Sequence, residues 1–91
     1  MTEPYQPLAC ELYDRLEVAC LHGYQLRIEL LDGHELQARA ITTETHADKA
    51  EYLRVSSVDG EQVLRLDHLL AITPLDAGAR FARVLLANRP C

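Results

Sequence analysis

Four histidines, three cysteines, two serines and fourteen carboxylates are the residues that could do chemistry in this chain. Their spacing argues against most of it. His22, His34, His46 and His68 stand apart, with no pair at the i, i+4 step by which two helical imidazoles share a metal. Cys10, Cys20 and Cys91 are odd in number and form no Cys-x-x-Cys pair, which disfavours both a disulfide framework and a zinc knuckle. A nucleophilic cysteine needs a base or a positive helix end beside it. Cys10 opens a predicted helix, but Glu11 and Asp14 oppose ionisation of its thiol. Cys20 reads as a core residue at the end of an apolar stripe. Ser56 and Ser57 fall in a predicted strand, without a G-x-S-x-G turn. Gly23, Gly33, Gly60 and Gly78 are isolated turn residues, and neither phosphate-binding glycine motif occurs. The expectation is a chain that is not an enzyme and holds neither metal nor cofactor.

Two charged patterns remain. Glu11, Asp14 and Glu17 recur at steps of three, which on a helix sets them along one side, about 4.5 Å apart in axial rise. That side is opposite the Leu12, Leu16 and Ala19 stripe, and Arg15 lies among the acids. Outward carboxylates can compete for the arginines and lysines of a phosphate-binding surface through charge-assisted hydrogen bonds. The plainer reading is a solvated helix face. The second pattern is Arg27, Arg39, Arg54 and Arg65, one per predicted strand, each between inward apolar residues and so expected on a common solvent face. With Tyr24 and Tyr52 as stacking platforms they would suit an RNA-binding module. Glu29, Glu35, Glu51 and Glu61 are interleaved with them and would cancel much of the attraction. Glu29 and Glu35 are placed to oppose one another across a hairpin.

The elements that must position these residues are short. Residues 1–9 hold two prolines and read as an extended tail, with Tyr5 and Leu8 as anchors. Residues 10–21 form one amphipathic helix, stopped by His22-Gly23. Residues 24–31 and 34–42 alternate about Asp32-Gly33, with Leu26, Ile28 and Leu30 facing Leu36, Ala38 and Ala40 as an antiparallel hairpin. Residues 43–50 are polar and read as a loop. Residues 51–58 and 61–66 form a second hairpin about Asp59-Gly60, with Leu53, Val55, Leu64 and Leu66 inward. A helical turn at 67–70 and a short strand at 71–73 follow. Residues 75–91 fit a helix or a buried strand about Val84-Leu85-Leu86. One helix before about five short strands gives a mainly β class: a small barrel, for which the SH3-like, Sm-like and OB architectures compete and the two Asp-Gly hairpins favour the first two.

Composition sets the scale. The 91 residues allow one domain, expected over 10–76 with 77–91 as a C-terminal extension. A chain this short buries only about 60–65 % of its unfolded surface. With no tryptophan and one phenylalanine, Phe81, the core must be aliphatic. Leu16, Ile28, Leu53 and Val55 are its expected centre. The net charge of −5 is uneven. Residues 1–35 hold seven acids and two arginines, whereas 77–91 hold three arginines and no acid. An acidic front half repels nucleic acid and anionic membranes and favours a basic partner. Met1 is followed by Thr2, Glu3 and Pro4 rather than a basic and apolar leader, so the cytoplasm is the expected compartment.

The segment from Tyr5 to Cys20 is more specific than this physics requires. Tyr5, Gln6, Pro7, Cys10, Tyr13, Asp14, Leu16, Glu17, Ala19 and Cys20 stand in a pattern that resembles the Rho-binding antiterminator family, also called Rof or YaeO. The similarity continues through Leu26, Glu29, Leu30, Asp32, Gly33, Glu35, Leu36, Gln37 and Ala38. It resumes at Glu51-Tyr52-Leu53 and Leu64-Arg65-Leu66-Asp67, so it spans roughly residues 5–73 and leaves 77–91 without a counterpart. The resemblance implies an N-terminal helix on an Sm-like barrel, monomeric when free. It implies binding to the hexameric termination factor Rho, over the primary RNA-binding region of Rho's N-terminal domain, with reduced termination and no direct contact to nucleic acid. On this chain Glu11, Asp14 and Glu17 would carry that contact, with Tyr5, Gln6 and Tyr13 in support. The family's two adjacent acids at the helix start are here Glu11 and Leu12, so one charge is absent.

Overall fold

In a computed structural model, which describes residues 10–86, the chain folds as a helix, α1 (Cys10–His22), on a six-stranded antiparallel sheet. The strands are β1 (Gln25–Leu30), β2 (Glu35–Thr45), β3 (Glu51–Ser57), β4 (Gly60–Arg65), β5 (Leu69–Pro74) and β6 (Val84–Leu85). A 3-10 turn, Leu66–His68, joins β4 to β5. The strand order is β4-β3-β2-β1-β5-β6. This is the mainly β, SH3-like/Sm-like architecture that the sequence predicts. Among the described residues no helix is long and apolar enough to cross a membrane.

Local chemistry accounts for the joints. α1 ends where Gly23 takes φ +63, a left-handed conformation that a Cβ would strain. The Gly23 N–H then bonds the Cys20 carbonyl at 3.2 Å and the Tyr24 N–H the Ala19 carbonyl at 3.0 Å, satisfying two of the last helical carbonyls. The β1–β2 hairpin turns at Gly33, also at positive φ, with Glu29 opposite Glu35 across the pair. Register shifts at Glu29/Leu30 and at Ala40/Thr42 bend the sheet toward a barrel.

The core is mostly aliphatic. Leu16, Leu26, Ile28, Leu53, Val55, Leu66, Leu69, Ile72 and Leu86 are all fully buried, Tyr24 joins them at the edge, and among the described residues no charged side chain is buried with them. α1 contributes Leu12, Leu16 and Ala19 to this cluster, so the stripe read from the sequence is the docking face. Leu30, Leu36 and Leu64 are only half-buried and pack around it.

Three segments differ from expectation. The polar stretch 43–50 is not all loop: β2 continues through Thr45, pairing Thr43 with Leu53 and Thr45 with Glu51. Its β-branched threonines suit a strand whatever their polarity. The turn shrinks to 46–50, where Lys49 has φ +67 and Asp48 Oδ1 accepts the Ala50 N–H at 3.0 Å. β5 is twice the length expected, because Leu69 to Pro74 pair with β1 along its whole length. Of the two readings of the C-terminal stretch, the strand is the one found. Val84 and Leu85 pair with Ile72 and Ala71, and the Leu86 N–H bonds the Leu70 carbonyl at 2.8 Å. Residues 77–86 are therefore tied to the barrel rather than appended to it. Arg83 grips Glu29 with two bonds, at 2.8 and 3.3 Å, and Phe81 lies tilted against Tyr24.

Candidate functional site

The outward side of α1 follows from its inward side. With Leu12, Leu16 and Ala19 turned into the core, the 100° step between residues leaves Asp14, Glu17 and Leu21 pointing away, and all three are exposed. Arg15 is also exposed, at the edge of this acidic side. Glu11 lies in the first turn of the helix, while Tyr5 and Gln6 fall outside the described residues. Tyr13 is half-buried, and its hydroxyl donates to Thr43 Oγ1 at 3.3 Å. Its observed contact therefore fixes the helix against β2.

Beside this bond, α1 and β2 leave an open groove of about 580 Å³. Asp14 and Glu17 border it, Val18, Cys20, Leu21 and Ile41 give it an apolar lining, and Thr42 and Thr43 close it along the strand. Cys20 is the described free thiol, and burial, reinforced by the Glu17 charge, pushes its pKa up to about 11. It is a neutral thiol at pH 7 and a poor nucleophile.

The four arginines meet different fates. The strand register places all of them on the outer face, as expected. Arg54, however, binds Glu44 through two nitrogens and reaches Glu61 at 3.3 Å. Arg65 lies 3.0 Å from Asp67, with little of either side chain exposed. Arg27 and Arg39 are exposed. Two of the four cations are thus neutralised by acids, which weakens the surface as a track for RNA phosphates. The sequence shows the interleaved Glu61 but not Glu44 or Asp67 as partners, because those residues approach through strand pairing and the 3-10 turn. The tyrosines are similarly engaged. His22 stacks on Tyr24, which is buried and accepts the Arg80 N–H, and His46 stacks on Tyr52, whose hydroxyl donates to Asp48.

Three of the four histidines sit with local carboxylates. His34 pairs with Asp32 at 3.0 Å, His46 with Glu44 at 2.9 Å and His68 with Asp67 at 3.8 Å. Hydrogen bonds from Arg54 and then His46 hold the Glu44 carboxyl down at about 2. Among the described residues no three such side chains are grouped to hold a metal ion. Glu29 and Glu35 do face each other, but Arg83 occupies Glu29 and lowers its pKa by hydrogen bonding.

Comparison with known proteins bears on the helix and on the C-terminal strand alike. A family model described as "Modulator of Rho-dependent transcription termination (ROF)" matches residues 7–86. The match reaches past the roughly 5–73 span of the sequence resemblance and takes in β6, so residues 77–86 do have a counterpart. "Protein rof" of Escherichia coli (strain K12) is 38% identical over 78 residues, covering 86% of this chain and 92% of the relative, and "Protein rof" of Shigella flexneri matches equally. A solved structure titled "YaeO bound to Magnesium from Vibrio cholerae O395" superimposes with a TM-score of 0.74 over 80% of this chain and 95% of that one. Its sequence is 22% identical, so the likeness speaks for the fold.

Proposed function

This chain belongs to the family of modulators of Rho-dependent transcription termination, and we propose that it acts by binding Rho over its primary RNA-binding region, displacing RNA and thereby inhibiting termination. The observation that supports this reading is the exposed pair Asp14 and Glu17 on the outer side of α1, within the matched segment. A surface that grips RNA phosphates presents arginine and lysine, and fixed carboxylates compete for those groups. The helix supplies rigidity: its docking face is packed and Tyr13 pins it to β2, so the backbone that carries Asp14 and Glu17 is held in place before binding. Glu11 extends the acidic row toward the helix start, and Tyr5, Gln6 and Tyr13 support the contact. The encounter takes place in the cytoplasm, between a free monomer and N-terminal domains of the Rho hexamer.

The reading that the barrel itself binds RNA is less well supported, because Glu44, Glu61 and Asp67 neutralise two of its four outer arginines. One competition experiment separates the two. With Rho bound to a fluorescent single-stranded RNA, added protein is expected to lower the RNA anisotropy to that of free RNA, and to show no anisotropy change with RNA alone. Retention of RNA on Rho, or binding of RNA by this protein in the absence of Rho, would contradict the proposal.

A further inference from the structure

The groove between α1 and β2 has a feature that charge competition leaves unused: between its acidic border and its threonines, Val18, Cys20, Leu21 and Ile41 form an apolar strip. Leu21 is 80% exposed and lies on the acidic side of the helix, one turn beyond Glu17 and two beyond Asp14. It contributes nothing to the barrel core, while Val18 and Ile41 continue its apolar surface into the groove. The Cys20 thiol adds no charge to that strip at neutral pH.

We infer that this groove receives an aromatic side chain from the RNA-binding surface of Rho, so that the chain covers the base-stacking part of that surface as well as its phosphate-binding part. The inference rests on the proposed binding to Rho. Surfaces that hold single-stranded nucleic acid combine cations for the backbone with aromatic platforms for the bases. A competitor made of carboxylates alone would desolvate those rings against charge, and the negative face of a ring repels a carboxylate. An apolar groove with acids on its border removes the conflict: the ring seats on Leu21, Val18 and Ile41 while Asp14 and Glu17 meet the flanking basic residues. The groove volume of about 580 Å³ admits an aromatic side chain. A central apolar anchor within a charged border is also the arrangement that concentrates binding energy in protein interfaces.

Leu21→Glu separates this inference from pure electrostatics, since it adds a negative charge where the groove needs an apolar surface. Charge competition alone predicts tighter binding to Rho. A ring seated in the groove predicts binding weaker by about tenfold or more, with Leu21→Gln weakened as well. Because Leu21 is so exposed, Leu21→Gln should leave the melting temperature nearly unchanged, whereas Leu21→Glu, four residues from Glu17 and in the last helical turn, should lower it by a few degrees at most without unfolding the chain. Methyl NMR of the wild-type chain on Rho identifies the occupant: an adjacent ring shifts the Leu21 and Val18 methyl resonances upfield. Leu21→Glu binding as tightly as wild type, or tighter, would overturn the inference and leave the Rho reading intact. Weakened binding without the upfield shift would mean a non-aromatic occupant, and wild-type self-association lost in Leu21→Glu with Rho affinity unchanged would mean a second copy; either overturns it. Failure of the wild type to displace RNA would overturn the proposed function, and this inference with it.

Discussion

Replacing Leu16 by alanine is expected to destabilise the fold by about 2–5 kcal/mol, the range for truncating a leucine in a packed core. Leu16 is fully buried, at the centre of the helix stripe that meets the sheet. A domain of this size has a total stability of only about 5–15 kcal/mol, so the loss is a large fraction of it. At roughly 4–8 °C per kcal/mol, the melting temperature should fall by about 10 °C or more. The effect also reaches function, because the face that docks α1 and the acids that point outward belong to the same thirteen residues. Partial undocking would therefore weaken Rho binding even in the folded fraction. A thermal melt in which Leu16→Ala matches wild type would mean that α1 does not depend on the barrel.

Leu86→Ala should cost a comparable amount, about 2–5 kcal/mol. The side chain is 1% exposed and sits in the same cluster as Ile72 and Leu69. Its neighbour Leu85, the last residue of β6, is 42% exposed, so Leu85→Ala serves as a control one position away and should fall within about 0.5 kcal/mol of wild type. Chemical denaturation of the pair distinguishes a strand built into the barrel from a dispensable tail. Equal midpoints for Leu86→Ala and Leu85→Ala would show that the segment ending at Leu86 adds nothing to the core. Deleting the stretch from Ala79 onward should exceed either, because it also removes the Phe81–Tyr24 contact and the Arg83–Glu29 pair.

What the sequence reveals and what it hides divide along local and non-local physics. The helix stripe, the two Asp-Gly hairpins and the burial of Leu16, Ile28, Leu53 and Val55 follow from period and turn chemistry, which act over a few residues. The length of β2 was hidden because Thr43, Glu44 and Thr45 are polar, and a polar strand end looks like loop. β6 was legible only as one of two readings of the C-terminal stretch, because a two-residue strand has no period to read; its place is set by pairing with β5 and by burial of Leu86 in the core. The arginine face was legible, but its neutralisation was not, since Glu44 and Asp67 reach their partners through pairing and a 3-10 turn. At the candidate site, the acids were visible as a helical row. The groove was not, because Ile41 and Leu21 meet only once α1 lies on β2. One signal was available: Leu21 is an apolar residue at i+4 from Glu17, on the side of the helix opposite its own stripe.

On the proposed function, carboxylates on α1 hold Rho by competing for the basic groups that otherwise grip RNA. The direct measurement is the dissociation constant for Rho, for wild type and for Asp14→Asn/Glu17→Gln, from about 50 to about 300 mM salt, a range over which the screening length falls through about 10 Å. Both residues are exposed, so the double variant should melt as wild type does. It is expected to bind about tenfold more weakly at the lowest salt, mainly through slower association, with the two curves converging as salt rises. Equal affinity of the two proteins across the whole range would show that the acidic side of α1 is ordinary solvated surface and would contradict the account.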